Sequence, residues 1–127
     1  MPPRVLIIDD NPTNLKLASD VLLSDGFVVE TAQDAEQAQR ILTQRVPHLI
    51  LMDIALPGMD GLAFTRRLKA ERRFAHVPIV ALTASAMRGD EEKALAAGCS
   101  GYITKPIDTR AFGGQISGFL RAAKPAG

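Results

Sequence analysis

The chain has 127 residues, of which 46% are apolar and 23% charged, which is typical of one ordinary globular domain and leaves no room for two. Its 15 Lys and Arg against 14 Asp and Glu leave a formal charge of +1, so no overall field favours nucleic acid or an anionic membrane as a partner. No apolar run approaches the roughly 18 residues of a membrane span, and the single cysteine, Cys99, excludes an internal disulfide. We therefore expect a cytoplasmic protein.

Five short runs along the chain predict β-strands, at residues 5–8, 27–31, 49–52, 79–82 and 101–104. The first, third and fourth are apolar throughout, without the polar alternation of a sheet that faces water on one side. They predict parallel strands that are covered on both faces. The second and fifth are more mixed and suit positions nearer the sheet edges.

Segments with helical spacing separate the strands. The first begins at Asn11, an N-cap followed by Pro12, and should end at Gly26. Asp60 and Asp108 are predicted to cap the third and fifth helices in the same way. The fourth helix, at about residues 87–97, and the fifth contain glycines, which indicate either close backbone packing or low local stability.

This fivefold alternation of strand and helix predicts an α/β fold of the flavodoxin-like, doubly wound (βα)5 type. A five-stranded parallel sheet would carry helices on both faces. We expect one domain over residues 1–123, followed by a flexible C-terminal tail at residues 124–127.

Functional groups follow four of the predicted strands: Asp9 and Asp10, Asp53, Thr83, and Lys105. In an open parallel sheet, ligands bind outside the carboxyl ends of the strands, so these groups should share one rim. Three carboxylates there repel one another unless a hard divalent cation lies among them, and oxygen ligands with bound waters suit Mg²⁺. With Mg²⁺ and the Lys105 ammonium present, the rim suits the oxygens of a phosphoryl group.

Asp53 is the predicted nucleophile because it ends the central run, with the acid pair on one side and Thr83 and Lys105 on the other. A carboxylate that accepts a phosphoryl group needs mainly positioning and charge neutralisation. The Thr83 hydroxyl and a neighbouring backbone amide would be further donors to the phosphoryl oxygens.

Four segments, VLIIDDNP, LILMDIALPGMDG, VPIVALTA and GYITKPI, resemble in order and spacing the receiver domains of two-component response regulators. The resemblance covers nearly the whole chain and includes single-domain chemotaxis and cell-cycle regulators. It implies the strand order 2-1-3-4-5 and a phosphoacceptor that is not a turnover enzyme. The phosphoryl donor would be a phosphohistidine on a sensor histidine kinase or a histidine phosphotransfer protein.

The same resemblance implies roles for the acidic residues. Asp53 would be the phosphoacceptor. Asp10 and Asp53 would bind Mg²⁺ directly together with the backbone carbonyl of Ala55, and Asp9 would hold a metal-bound water.

It also implies roles on the last two strands. Lys105, Thr83 and the Ala84 amide would contact the phosphoryl oxygens, and Thr83 would be the switch residue. Tyr102 would rotate inward on phosphorylation, and the Lys105–Pro106 peptide bond would be cis. The surface formed by the fourth helix, fifth strand and fifth helix would then bind a downstream target protein, with the chain itself a monomer or weak dimer.

Two departures from the family pattern stand out. His48 occupies a position before the third strand that is commonly acidic, but at the far, amino end of that strand, where a structural role is expected. Ala55 and Ser85 occupy positions that tune phosphate lifetime in the family, and the sequence does not predict that lifetime.

Three alternatives remain open at this point. A haloacid-dehalogenase-like phosphatase would need a second aspartate two positions after the nucleophile, where this chain has Ala55. A nucleotide or flavin binder would need a glycine-rich phosphate loop after the first strand. A receiver fragment of a larger response regulator or hybrid kinase would carry the same motifs, although the start at Met1 and the short tail favour a complete short protein.

Overall fold

A computed structural model describes residues 2–56, 58, 60–84 and 88–123. The elements in this part of the chain are β1 (Arg4–Ile8), α1 (Pro12–Ser24), β2 (Val28–Ala32), α2 (Ala35–Gln44), β3 (Leu49–Asp53), α3 (Gly61–Lys69), a 3-10 helix (Arg72–Phe74), β4 (Ile79–Thr83), α4 (Arg88–Ala97), β5 (Gly101–Thr104) and α5 (Phe112–Ala123). The predicted tail at residues 124–127, Ser85, and residue 87 at the predicted start of α4 lie outside the described residues.

The five strands form one parallel sheet in the order β2-β1-β3-β4-β5, which confirms the predicted fold and strand order. Every residue of β3 and β4 is buried, whereas the edge strand β2 exposes Val28 and Thr31. The uniformly apolar runs are therefore the ones that helices cover on both faces.

Alternate residues of the strands feed two separate cores. In β1, Leu6 and Ile8 pack into a cluster with residues of α2, α3 and α4, while Val5 and Ile7 pack with residues of α1 and α5. The sheet thus separates an α2, α3 and α4 side from an α1 and α5 side. No helix within the described ranges is long and apolar enough to cross a membrane.

Two of the three predicted caps are confirmed. The Asn11 side chain accepts hydrogen bonds from the backbone N–H groups at the start of α1, and the Asp60 side chain accepts one from the Leu62 N–H at the start of α3. The prediction for Asp108 is wrong by one turn. Its side chain accepts the Arg110 N–H in a separate turn, and α5 begins only at Phe112.

The structure tests one of the two predicted explanations for the glycines of α4 and α5, close backbone packing. A Cβ at Gly113 would fall on the Asp25 carboxylate, so this glycine allows the start of α5 to pack against the end of α1. Gly89 and Gly114 have open space around the position of a Cβ, and close packing does not explain them.

Candidate functional site

The carboxyl ends of β1, β3, β4 and β5 lie in one row and deliver the predicted groups to one edge of the sheet. Asp9 and Asp10 follow β1, Asp53 is the last residue of β3, Thr83 is the last residue of β4, and Lys105 follows β5. Asp9 and Asp53 are 1% and 3% exposed, whereas Asp10 faces solvent.

Lys105 joins the two buried carboxylates. Its Nζ lies 3.1 Å from Asp53 Oδ2 and 3.1 Å from Asp9 Oδ2, and its side chain is 20% exposed. One ammonium therefore partly neutralises two carboxylates that would otherwise repel each other at close range.

Backbone amides fix the other oxygen of each buried carboxylate. Asp9 Oδ1 accepts the Asn11 N–H at 2.9 Å, and Asp53 Oδ1 accepts the Ala55 N–H at 2.9 Å. Each carboxylate is thus held from both ends, by a local loop amide and by the distant lysine. This arrangement fixes the orientation of the Asp53 carboxylate.

Burial and charge move the pKa values at this site in defined directions. Burial raises the pKa of Asp9, with a contribution from the charge of Asp53, and outweighs the opposing Asn11 N–H and Lys105. Burial lowers the pKa of Lys105, but the combined effect of Asp53 and Asp9 exceeds it, so its net shift is upward.

The raised pKa of Asp9 predicts that ionisation of this carboxyl destabilises the folded, metal-free protein. The folded state binds the Asp9 proton more tightly than the unfolded state does. Protonation of Asp9 therefore stabilises the folded state at low pH, and this stabilisation is lost as pH rises through the raised pKa. Asp9→Asn does not ionise, so its free energy of unfolding relative to wild type should increase as pH rises from below 3.8 towards neutrality. Urea denaturation in EDTA across this range measures the difference, and a constant difference would contradict the prediction.

The acidic residues fit a hard divalent cation. Asp9, Asp10 and Asp53 each offer a carboxylate oxygen, and these oxygens all lie within 4.8 Å of one another. Carboxylate oxygens, one of them on an exposed side chain open to water, are the donor set that suits Mg²⁺.

The remaining predicted residues lie around this centre. Thr83 is 4% exposed, and its carbonyl accepts the Lys105 N–H at 2.7 Å, so the β4 and β5 ends are tied together. Ala55 and Ala84 are exposed at the loop starts after β3 and β4, and the Lys105–Pro106 peptide bond is cis.

Two further predicted residues lie away from the carboxylates. Tyr102 on β5 is half-buried, and its pKa is raised, first by a side-chain hydrogen bond to Glu91 of α4. His48 lies at the opposite end of the sheet, where its Nδ1 accepts the Arg4 N–H at 2.9 Å.

Sequence reasoning missed the structural role of Gly61. Its N–H donates to the Ile54 carbonyl at 3.1 Å, and its Cα is packed against the backbone of Asp53 and Ile54. The available signal was a glycine directly after the helix cap Asp60, a few residues beyond the predicted nucleophile.

Comparison with known proteins places this chain in a protein family. The sequence model of the response regulator receiver domain matches residues 5–116, and the chain belongs to that family. Members of this family act as phosphoacceptors in two-component signalling and are not turnover enzymes in the ordinary sense. Membership of this family argues against both the haloacid-dehalogenase-like phosphatase and the nucleotide or flavin binder.

Particular relatives are similar over nearly their whole length. The polar-differentiation response regulator DivK of Brucella anthropi is 39% identical over 120 residues, which are 94% of this chain and 98% of that protein. The Brucella ovis protein of the same name is 38% identical with the same coverage. A CheY-like receiver domain protein from Methanospirillum hungatei has a TM-score of 0.87 and 27% identity, covering 97% of each chain. The chemotaxis response regulator CheY4 of Vibrio cholerae shares the fold, with a TM-score of 0.89 and 24% identity over 94% of this chain and 99% of that one.

Proposed function

We propose that Asp53 accepts a phosphoryl group from a phosphohistidine on a sensor histidine kinase or histidine phosphotransfer protein, in a Mg²⁺-dependent reaction. The observation that carries this proposal is the buried Asp53 carboxylate with the Lys105 ammonium 3.1 Å from its Oδ2 and two further aspartates beside it. Family membership supports the phosphoacceptor class, and the site geometry supports this residue within it.

In the proposed reaction an Asp53 oxygen forms the new bond to phosphorus while the phosphorus–nitrogen bond of the donor breaks and the histidine keeps the bonding electron pair. The Ala55 N–H holds the carboxylate in place, and Lys105 stabilises negative charge on the phosphoryl oxygens. Mg²⁺, held by Asp10, Asp53 and the Ala55 carbonyl with Asp9 retaining a metal-bound water, would supply further positive charge there.

The proposed response to phosphorylation involves the two neighbouring strand ends. The Thr83 hydroxyl and the Ala84 N–H would donate to the phosphoryl oxygens, and Tyr102 would change its position on β5. The hydrogen bond that ties Lys105 to Thr83 and the link between Tyr102 and Glu91 of α4 support such coupling. The α4, β5 and α5 surface would present the change to a downstream target protein.

Labelling with acetyl phosphate tests the proposal. Wild-type protein with Mg²⁺ should form a hydroxylamine-sensitive acyl phosphate that maps to Asp53, and EDTA should prevent it. Asp10→Ala should raise the Mg²⁺ concentration needed for half-maximal labelling roughly tenfold, because it removes a charged ligand from the metal centre.

Asp20→Ala is the matched control, since Asp20 is an exposed aspartate on α1 outside the site. Its Mg²⁺ requirement should equal that of wild type. Labelling that persists in EDTA, or an unchanged Mg²⁺ requirement in Asp10→Ala, would show that the metal is not held here.

A further inference from the structure

Charge is distributed unevenly between the two ends of the sheet, although the chain as a whole carries only +1. Acidic side chains collect at the carboxyl end, around the Asp53 rim and at the starts of the helices, namely Asp9, Asp10, Asp34, Glu36, Asp53, Asp60 and Asp108, with Lys105 and Arg110 among them. Basic side chains collect at the opposite, amino end, where the strands begin and the helices finish. The overall charge conceals this separation, so the amino end has to be considered as a surface of its own.

Six exposed arginines lie at the amino end, after α2, in the last turns of α3 and α5, and on the 3-10 helix, namely Arg45, Arg66, Arg67, Arg72, Arg73 and Arg121. In the part of the chain that the structure describes, none of them forms an ion pair. The exposed carboxylates described at this end are Asp25 and Glu71, and Glu30 is already paired with Arg4. The amino end thus keeps an excess of positive charge even when both of these carboxylates are counted against it.

Neutralisation of helix ends does not account for this excess. The carboxyl terminus of a helix carries about half a negative charge. α1, α2 and α4 end without a basic residue in the last turn, whereas α3 has three there, and the 3-10 helix after it adds Arg72 and Arg73. Arg73 donates one N–H to the Leu42 carbonyl at 2.7 Å and keeps others for an external acceptor. The arginines therefore exceed what the ends of these helices require.

Apolar side chains that reach the surface lie among these arginines. Val46 is 40% exposed, and Pro3 and Leu120 are partly exposed. Pro3 and Leu120 line two adjoining depressions, one of which also contains Val46 and Arg73, while the other contains Arg121. The apolar side chains therefore form the middle of the surface and the arginines flank them. We call the six arginines together with these three apolar side chains the basic end.

We propose that the basic end docks on an anionic lipid bilayer. The arginines would pair with lipid phosphates, and Val46, Pro3 and Leu120 would reach the boundary between headgroups and acyl chains. The arginines lie on both sides of the sheet, on α3 and on α5, and a bilayer offers phosphates across that whole width. Nucleic acid fits less well, because it offers phosphates but no apolar layer for the middle of the basic end.

This orientation leaves the Asp53 rim accessible, because the rim lies at the opposite end of every strand. Docking and phosphorylation can therefore occur on the same molecule. Labelling by acetyl phosphate should proceed equally in free and vesicle-bound protein. Failure of docking would leave the proposed role of Asp53 untouched, and failure of labelling would leave the docking proposal untouched.

Co-sedimentation of the full, unphosphorylated chain with vesicles tests this docking. The probes are vesicles of phosphatidylcholine alone and vesicles in which roughly one quarter of the lipid is phosphatidylglycerol. We expect binding to the anionic vesicles only, and its loss at high salt, because salt screens the attraction between exposed charges. Arg72→Glu should weaken binding roughly fivefold or more, whereas Arg72→Lys, which keeps the charge, should bind as wild type does.

Arg110→Glu is the matched control, because it makes the same change of charge at the carboxyl end of the sheet, in the turn before α5. Its affinity for the anionic vesicles should equal that of wild type. Equal weakening by Arg72→Glu and Arg110→Glu would show that only the total charge matters and would overturn the proposal. So would equal binding to both kinds of vesicle, binding to neither, or tighter binding of a duplex or single-stranded oligonucleotide at the same salt concentration.

Discussion

Asp53→Asn is expected to abolish phosphorylation by acetyl phosphate and by a cognate kinase while leaving the fold intact. The amide has nearly the shape of the carboxylate, and its oxygen can still accept the Ala55 N–H that now holds Asp53 Oδ1. It lacks the nucleophilic charge that forms the bond to phosphorus, so labelling should fall below detection rather than merely slow. Intact-mass measurement after incubation with acetyl phosphate and Mg²⁺ reads out the loss directly.

Asp60→Asn provides the matched control for this experiment. Asp60 is an exposed aspartate on the loop that follows Asp53, and its side chain caps α3. Asparagine is an equally good N-cap, so the variant should fold and be labelled as wild type. Continued labelling of Asp53→Asn at some other aspartate would contradict the assignment of the phosphoacceptor, and a circular dichroism spectrum unlike that of wild type would show that the fold had changed.

The sheet and its functional rim follow from a simple pattern in the sequence. Short, uniformly apolar runs rich in Ile, Leu and Val, separated by helical segments, favour strands buried on both faces, and parallel strands bring their carboxyl ends to one edge. Polar groups placed directly after such runs, as Asp9, Asp53 and Thr83 are, therefore lie near one another whatever the details of the helices. This is why the acidic cluster could be predicted before its distances were known.

Contacts that depend on the direction of side chains cannot be predicted from the pattern of apolar runs. Arg73 donates to the carbonyl of Leu42, 31 positions away, and only the packing of α2 against the 3-10 helix brings them together. The start of α5 was misplaced for a related reason, because a capping residue such as Asp108 can close an isolated turn as readily as begin a helix. Local sequence does not distinguish the two outcomes when tertiary packing sets where the helix begins.

Gly61→Ala is expected to destabilise the protein by about 3 kcal/mol, because a methyl group at this position would overlap backbone atoms. It would overlap the backbone carbonyl oxygen of Asp53 and lie 2.7 Å from Ile54 Cα. Both are backbone atoms at the end of the central strand, and they cannot move aside as a flexible side chain can. Urea denaturation measures the loss, and the folded variant should also be phosphorylated more slowly, because relieving the overlap displaces Asp53, the proposed phosphoacceptor.

Gly114→Ala separates this steric effect from the general preference of helices for alanine. Gly114 lies in α5 with nothing within 4 Å of the position of a Cβ, and alanine there should stabilise the protein by about 0.5 to 1 kcal/mol. The two substitutions make the same chemical change, at the first residue of α3 and at the third residue of α5, and the methyl group meets backbone atoms only at the first. If both variants gained stability alike, the close approach of α3 to the Asp53 backbone would not be a constraint on the site. Opposite signs would show that Gly61 is required because the start of α3 and the end of β3 share the space that a side chain would need.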